Sequence, residues 1–122
     1  MAINSFRDLL VWQKAMDMVV AAYSLTRQFP DSERFGLTSQ LQRAAVSVPA
    51  NIAEGRGRRG TKDFLRYLSI AYGSLAEMET HVLIANRLSY IAEQQVSSIL
   101  EQVNEVRRMI DGLQTSLRRR LE

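Results

Sequence analysis

Apolar residues recur every three or four positions along almost the whole chain, and that spacing restricts it to packed helices. Leu9, Trp12, Met16, Val19, Val20 and Tyr23 carry the pattern first and predict a helix over about 7–28, with Ser5 and Asp8 as a capping box. Pro30 and the polar Asp31-Ser32-Glu33-Arg34 end it. Beyond Gly36, Leu41, Ala45, Val48 and Ile52 predict a helix over about 37–55 with Gly55 as its C-cap. Phe64, Leu68, Ala71, Leu75, Met78, Val82 and Ala85 place a third over about 61–88, with Thr61 as N-cap and Asp63 in the first turn. After a Ser89-Tyr90 turn, Val96, Ile99, Leu100, Val103, Val106, Ile110, Leu113 and Leu117 give a weakly capped fourth helix over about 93–119. No strand pattern competes, and short connections force successive helices antiparallel. The expected fold is all-α, an up-down-up-down four-helix bundle in a single domain over 1–122.

Composition removes several classes of function. With 122 residues and no cysteine, the chain has room for one core and neither a disulfide framework nor a thiolate metal site, which suits the cytoplasm. Neither a leader-like N-terminus nor an apolar run near the ~20 residues of a membrane span is present, so neither secretion nor a membrane partner is expected. The terminal Leu121-Glu122 has the look of an expression-vector scar and carries no weight. A net charge of +3 is mild, yet fourteen of the sixteen cations are arginine, the side chain suited to bidentate contacts with carboxylate or phosphate.

The second helix specifies two faces at once. Gln40, Arg43, Ser47, Asn51 and Glu54 project within about 60° of one another, roughly 100° from the Leu41-Ala45-Val48-Ile52 stripe. This polar row, with Ser74 and Glu77 from the third helix, either hydrogen-bonds internally or grips something outside the monomer, and a buried Arg43–Glu54 pair would serve specificity of assembly. Pro49 removes the bond to the Ala45 carbonyl at a cost of about 3 kcal/mol and predicts a kink there. Trp12, Tyr23, Tyr67, Tyr72 and Met78 read as core or interface.

Tested motif by motif, catalysis finds little support. Gly55-Arg56-Gly57-Arg58-Arg59-Gly60 spells the dinucleotide fingerprint, but a helix precedes it where a strand is required. The Gly55 to Lys62 stretch imitates a phosphate-binding loop with its Lys and Thr reversed. A di-iron centre needs Glu-x-x-His pairs on two helices, whereas the one histidine, His81, follows Met78 at that spacing; no metal and no cofactor is expected. Ser74 lacks a nucleophile elbow. Glu54, Glu77 and Glu79 are better suited to polar packing than to paired acid-base work, so no catalytic residue and no small-molecule substrate are assigned and a non-enzymatic protein is expected.

Arg56, Arg58, Arg59, Lys62 and Arg66 put five cations into eleven residues against Asp63 alone. In an antiparallel bundle, Arg118, Arg119 and Arg120 at the end of the fourth helix lie beside them. The cluster suits phosphate contacts that read no bases and weaken steeply with salt; the plainer reading is a solvated cap on helix ends.

The run Phe6-x-Asp8-Leu9-x-Val11-Trp12-Gln13-Lys14-Ala15, the segment Glu33-x-Phe35-Gly36-Leu37, and Gln40-x-x-Arg43-Ala44-Ala45-x-Ser47-x-Pro49-Ala50-Asn51-Ile52-Ala53-Glu54-Gly55 together resemble a known family. It is that of the four-helix-bundle proteins encoded in intervening sequences of bacterial 23S rRNA genes. Phe64-Leu65-x-Tyr67-Leu68-x-Ile70-Ala71-x-Gly73-Ser74-Leu75-x-Glu77 extends the resemblance, which covers roughly residues 6–90. The resemblance implies a left-handed up-down bundle assembled into a homo-oligomer, typically a ring-like pentamer, and it reads the proline and the polar row as packing and assembly features. Two functions follow as expectations. The first is a non-enzymatic oligomeric scaffold that binds RNA or a nucleoprotein partner through its basic ends; the second is a structural or regulatory protein–protein interaction module without nucleic-acid binding.

Overall fold

The computed structural model describes residues 5–121. Four helices, α1 (Leu10–Thr26), α2 (Leu37–Arg56), α3 (Thr61–Arg87) and α4 (Glu93–Arg119), account for most of them, and no strand occurs among the described residues. Each helix packs against two others: α1 on α2 and α4, α3 on α2 and α4. One core fills the space between, with Met18, Leu41, Val48, Ile52, Leu68, Leu75, Met78, Val82, Val103, Val106 and Ile110 fully buried. Burial of side chains of this size contributes on the order of 1.5–3 kcal/mol each. Among the described residues no helix is long and apolar enough to cross a membrane.

The stripes expected on α2, α3 and α4 are the buried ones, apart from half-buried Phe64, Leu100 and Leu113. The α1 stripe is corrected. Val11, Ala15, Met18, Ala22 and Leu25 face the core, Leu9, Trp12 and Val19 pack at its edge, and Met16, Val20 and Tyr23 are exposed. Two apolar rows overlap on this helix, and the row with alanines wins because a small side chain lets neighbouring backbones approach.

Helix ends shift for local reasons. Expected from about residue 7, α1 starts only at Leu10, because Leu9 is extended (φ −74, ψ 122) and Phe6–Asp8 form a separate 3-10 turn. Ser5 caps that turn, accepting from the Arg7 amide at 3.1 Å; Asp8 does not complete a capping box. Gly55 is buried inside α2 rather than ending it, and Gly57 is the C-cap, its amide donating to the Ala53 carbonyl at 3.1 Å. Thr61 is the first residue of α3, and the N-cap is Gly60, which has no side chain to offer the first-turn amides. No glycine ends α3. Ser89 takes the left-handed conformation (φ 64), so that its amide reaches the Asn86 carbonyl and the Tyr90 amide reaches that of Ala85, both at 2.9 Å. That is the Schellman arrangement, made by a residue for which positive φ is costly. Pro49 is buried within α2, which runs from Leu37 to Arg56 as one helix.

A single carboxylate joins the two connectors at one end. Glu33 Oε1 accepts from the Leu37 amide at 3.0 Å, which caps α2, and Oε2 accepts from the Tyr90 hydroxyl at 2.8 Å. Phe29 packs on the Tyr90 ring, with centroids 5.7 Å apart. The Leu37 amide first, then the Tyr90 hydroxyl, holds the Glu33 carboxyl below its ordinary 4.5, and donation to Glu33 holds the Tyr90 phenol above 10.0. A depressed carboxylate contributes stability above its unfolded-state pKa that is lost as pH falls through the folded value. The tyrosine's contribution runs the other way: it is present below pH 10 and lost as pH rises through the raised value. Glu33→Gln is therefore expected to be less stable than the parent at neutral pH, with the gap closing as pH drops below about 4.5, measured by urea denaturation across that range.

Candidate nucleic-acid interface

At the other end, the α2–α3 connector, the residues before α1 and the end of α4 meet. Arg56, Arg58, Arg59 and Arg120 line one cleft of about 380 Å³, together with Leu9, Gly60, Thr61, Phe64, Leu113 and Leu117. The expected convergence of the Gly-Arg connector with the arginines ending α4 is thus present for Arg120, while Lys62, Arg66, Arg118 and Arg119 are exposed outside the cleft. The convergence follows from α2 ending at Arg56 and α4 at Arg119, each followed by cations.

These cations are not equivalent. Arg58 lies 3.1 Å from Glu54, donates to the Tyr67 hydroxyl at 2.8 Å and has its guanidinium 5.2 Å from the Tyr67 ring centroid. Arg66 stacks on the same ring at 4.5 Å and lies 3.8 Å from Asp63. Tyr67 therefore carries two guanidiniums, an arrangement worth roughly 0.5–1 kcal/mol per exposed contact. No ion pair among the described residues engages Arg59, Lys62, Arg118, Arg119 or Arg120. Sequence reasoning counted Asp63 as the sole opposing charge and missed Glu54, although its i,i+4 spacing to Arg58 was a usable signal.

The polar row of α2 divides into parts. Asn51 Nδ2 donates to Ser47 Oγ at 2.9 Å, Ser47 Oγ lies 2.8 Å from Ser74 Oγ, and Ser74 Oγ donates to the Ile70 carbonyl at 3.2 Å. Each hydroxyl has one proton, and Ser74 spends its own on Ile70, so Ser47 is the donor to Ser74 and the chain of donation runs one way from α2 into α3. Asn51 also donates to the Ser47 carbonyl at 2.8 Å. Ser47, Asn51 and Ser74 thus form a packing device, with Ser74 buried.

The remainder of the row does not assemble as anticipated. Arg43 and Glu54 form no buried pair: both are exposed, and eleven residues of helix separate them by about 16 Å. Glu54 is instead the partner of Arg58. Gln40, Arg43 and Glu77 line a shallow hollow of about 250 Å³ with Ala44, Ser47 and His81, whose buried Nδ1 has no hydrogen-bond partner among the described residues. Glu54 is not among its walls, so Glu54, Glu77 and His81 do not converge. Glu79 pairs with Arg107 at 2.8 Å, tying α3 to α4. Among the described residues no group of three or more His, Cys, Asp or Glu is placed to hold a metal ion.

The architecture defines a four-helix protein with one strongly cationic end and a hydrogen-bonded polar device between α2 and α3. The chain belongs to the 23S rRNA-intervening sequence protein family, whose model matches residues 7–112. Its fold is also that of a crystal structure from Bacteroides thetaiotaomicron, a protein of unknown function from the S23 ribosomal protein family. The similarity has a TM-score of 0.77 at 24% identity and covers 85% of this chain and 97% of that one. No curated protein matches the chain.

Proposed function

We propose that this chain is a non-enzymatic, cytoplasmic, homo-oligomeric scaffold that binds RNA or a nucleoprotein partner through its basic end. Each subunit is a single left-handed up-down-up-down bundle, and the assembly is a ring-like pentamer. The observation that carries the RNA reading is the convergence of Arg56, Arg59 and Arg120 on one cleft, in a family described by an rRNA intervening sequence. Guanidiniums that converge on one cleft repel one another, and a phosphate chain relieves that repulsion. The meeting of Leu9, the α2–α3 connector and Arg120 at one end, with Glu33 and Tyr90 joined at the other, supports the up-down winding.

Assembly is supported by where apolar side chains reach solvent. Met16, Val20 and Tyr23 stand in a row on α1, with Val46 on α2 sharing a hollow with Tyr23, while α4 exposes no large apolar residue. Phe35, 88% exposed beneath the Arg34 guanidinium, favours the alternative of a protein partner. Light scattering and RNA titration test the whole reading. The expected mass is a multiple of the 13.9 kDa chain, and the logarithm of the RNA affinity should fall linearly with the logarithm of salt, with a slope of about −0.7 per phosphate neutralised. A monomeric mass removes the scaffold. Absence of RNA binding at low salt removes the RNA reading and leaves the protein-interaction module.

A further inference from the structure

The cleft at the basic end combines two kinds of lining that neither a solvated cation cap nor a protein groove requires together. Arg56, Arg59 and Arg120 supply guanidiniums, and Leu9, Phe64, Leu113 and Leu117 supply apolar surface that includes one aromatic ring. A helix-end cap for solvent gains nothing from leucines, and an apolar docking groove is weakened by arginines that must be desolvated. A ligand with an anionic head and a flat, weakly polar body satisfies both. The volume of about 380 Å³ sits near the lower edge of the roughly 300–1,000 Å³ typical of small-molecule pockets, enough for one such unit.

We propose that this cleft takes a single nucleotide of single-stranded RNA, its phosphate held by Arg59 and Arg120 and its base laid against Phe64 and the neighbouring leucines. The inference rests on the RNA reading above and narrows it to one site. Bases in a duplex are stacked and paired inside the helix, so a duplex presents phosphates without a free base to fill the apolar part. Preference for single strands follows. Among the described residues, the one polar side chain lining the cleft apart from the arginines is the Thr61 hydroxyl, so base identity is read weakly and binding is tolerant of sequence.

Gly60 offers a test that separates binding from folding. It is the N-cap of α3 in extended geometry (φ −107, ψ 146), and a Cβ there would meet nothing within 4 Å. Gly60→Asp adds a cap oxygen for the α3 amides, a change that leaves the melting temperature equal or higher, while placing a carboxylate in the cleft. Anisotropy of a labelled short oligouridylate is expected to show affinity reduced at least about tenfold by Gly60→Asp and by Arg59→Ala, the loss of one charge-assisted contact. Uridine monophosphate should compete at least about tenfold better than uridine or inorganic phosphate alone, since it engages both linings. Wild-type affinity in Gly60→Asp overturns the nucleotide site while the RNA reading stands. So does competition by inorganic phosphate or by polyglutamate equal to that of the nucleotide, or duplex binding as tight as single-strand binding. Failure of the parent protein to bind the oligouridylate at low salt overturns the RNA reading itself, and this inference with it.

Discussion

Gly55→Ala is expected to lower the free energy of unfolding by about 3 kcal/mol, a large share of the roughly 5–15 kcal/mol that holds a domain together. The cause is the approach of α2 to α3. A Cβ on Gly55 would lie 2.7 Å from Tyr67 Cβ and 3.0 Å from Phe64 Cδ1. Tyr67 Cβ is one bond from the backbone, so no rotamer change relieves the overlap and the helices themselves must separate. That separation loosens Leu68 and Ile52, both fully buried, and disturbs the ring on which Arg58 and Arg66 rest. Gly112 on α4 provides the contrast, since a Cβ there meets nothing within 4 Å. Gly112→Ala should gain about 0.5–1 kcal/mol from helix propensity alone. Denaturant midpoints for the two variants give the answer, and a Gly55→Ala protein as stable as the parent would refute the close approach.

The second large effect concerns assembly. Val20→Glu combined with Val46→Glu is expected to convert the proposed oligomer to monomer, seen by light scattering, with helical circular dichroism unchanged. Val20 is 68% exposed and Val46 42% exposed in the subunit, so a carboxylate at either position is tolerated there. Between subunits the same carboxylate would be buried without a partner, at a cost of several kcal/mol per charge. A variant that keeps the parent mass would place the subunit contact elsewhere than the α1–α2 face.

Legibility in the sequence depended on whether a feature is local. The α3 and α4 stripes, and the bounds of α4 at 93–119, were readable because each helix carries one apolar row bordered by charge. On α1, residue size misled: the larger Met16, Val20 and Tyr23 suggested the core face, whereas Ala15 and Ala22 occupy it. That Arg120 meets the Gly-Arg connector was readable from helix count and connector length, whereas the positions of Lys62, Arg66, Arg118 and Arg119 outside the cleft were not. What was not readable is which arginines are engaged, because the seat of Arg58 on Tyr67 depends on how the connector returns onto α3. Membership of the 23S rRNA-intervening sequence protein family, expected from the residue pattern, is shown by the family match. Ser74 was placed in the polar row, but the order of donors through Ser47 emerges only from side-chain positions.

Glu33 and Tyr90 lie 57 residues apart in sequence, and their hydrogen bond closes that span. Closing so long a loop costs entropy before any contact repays it, so this clasp is expected to form after α2 and α3 have found each other. An interaction made that late is expected to contribute little to the folding transition state, which a φ-value near zero for Glu33→Gln would show. The clasp therefore acts on the lifetime of the folded subunit, slowing its opening and leaving the speed of its formation almost untouched.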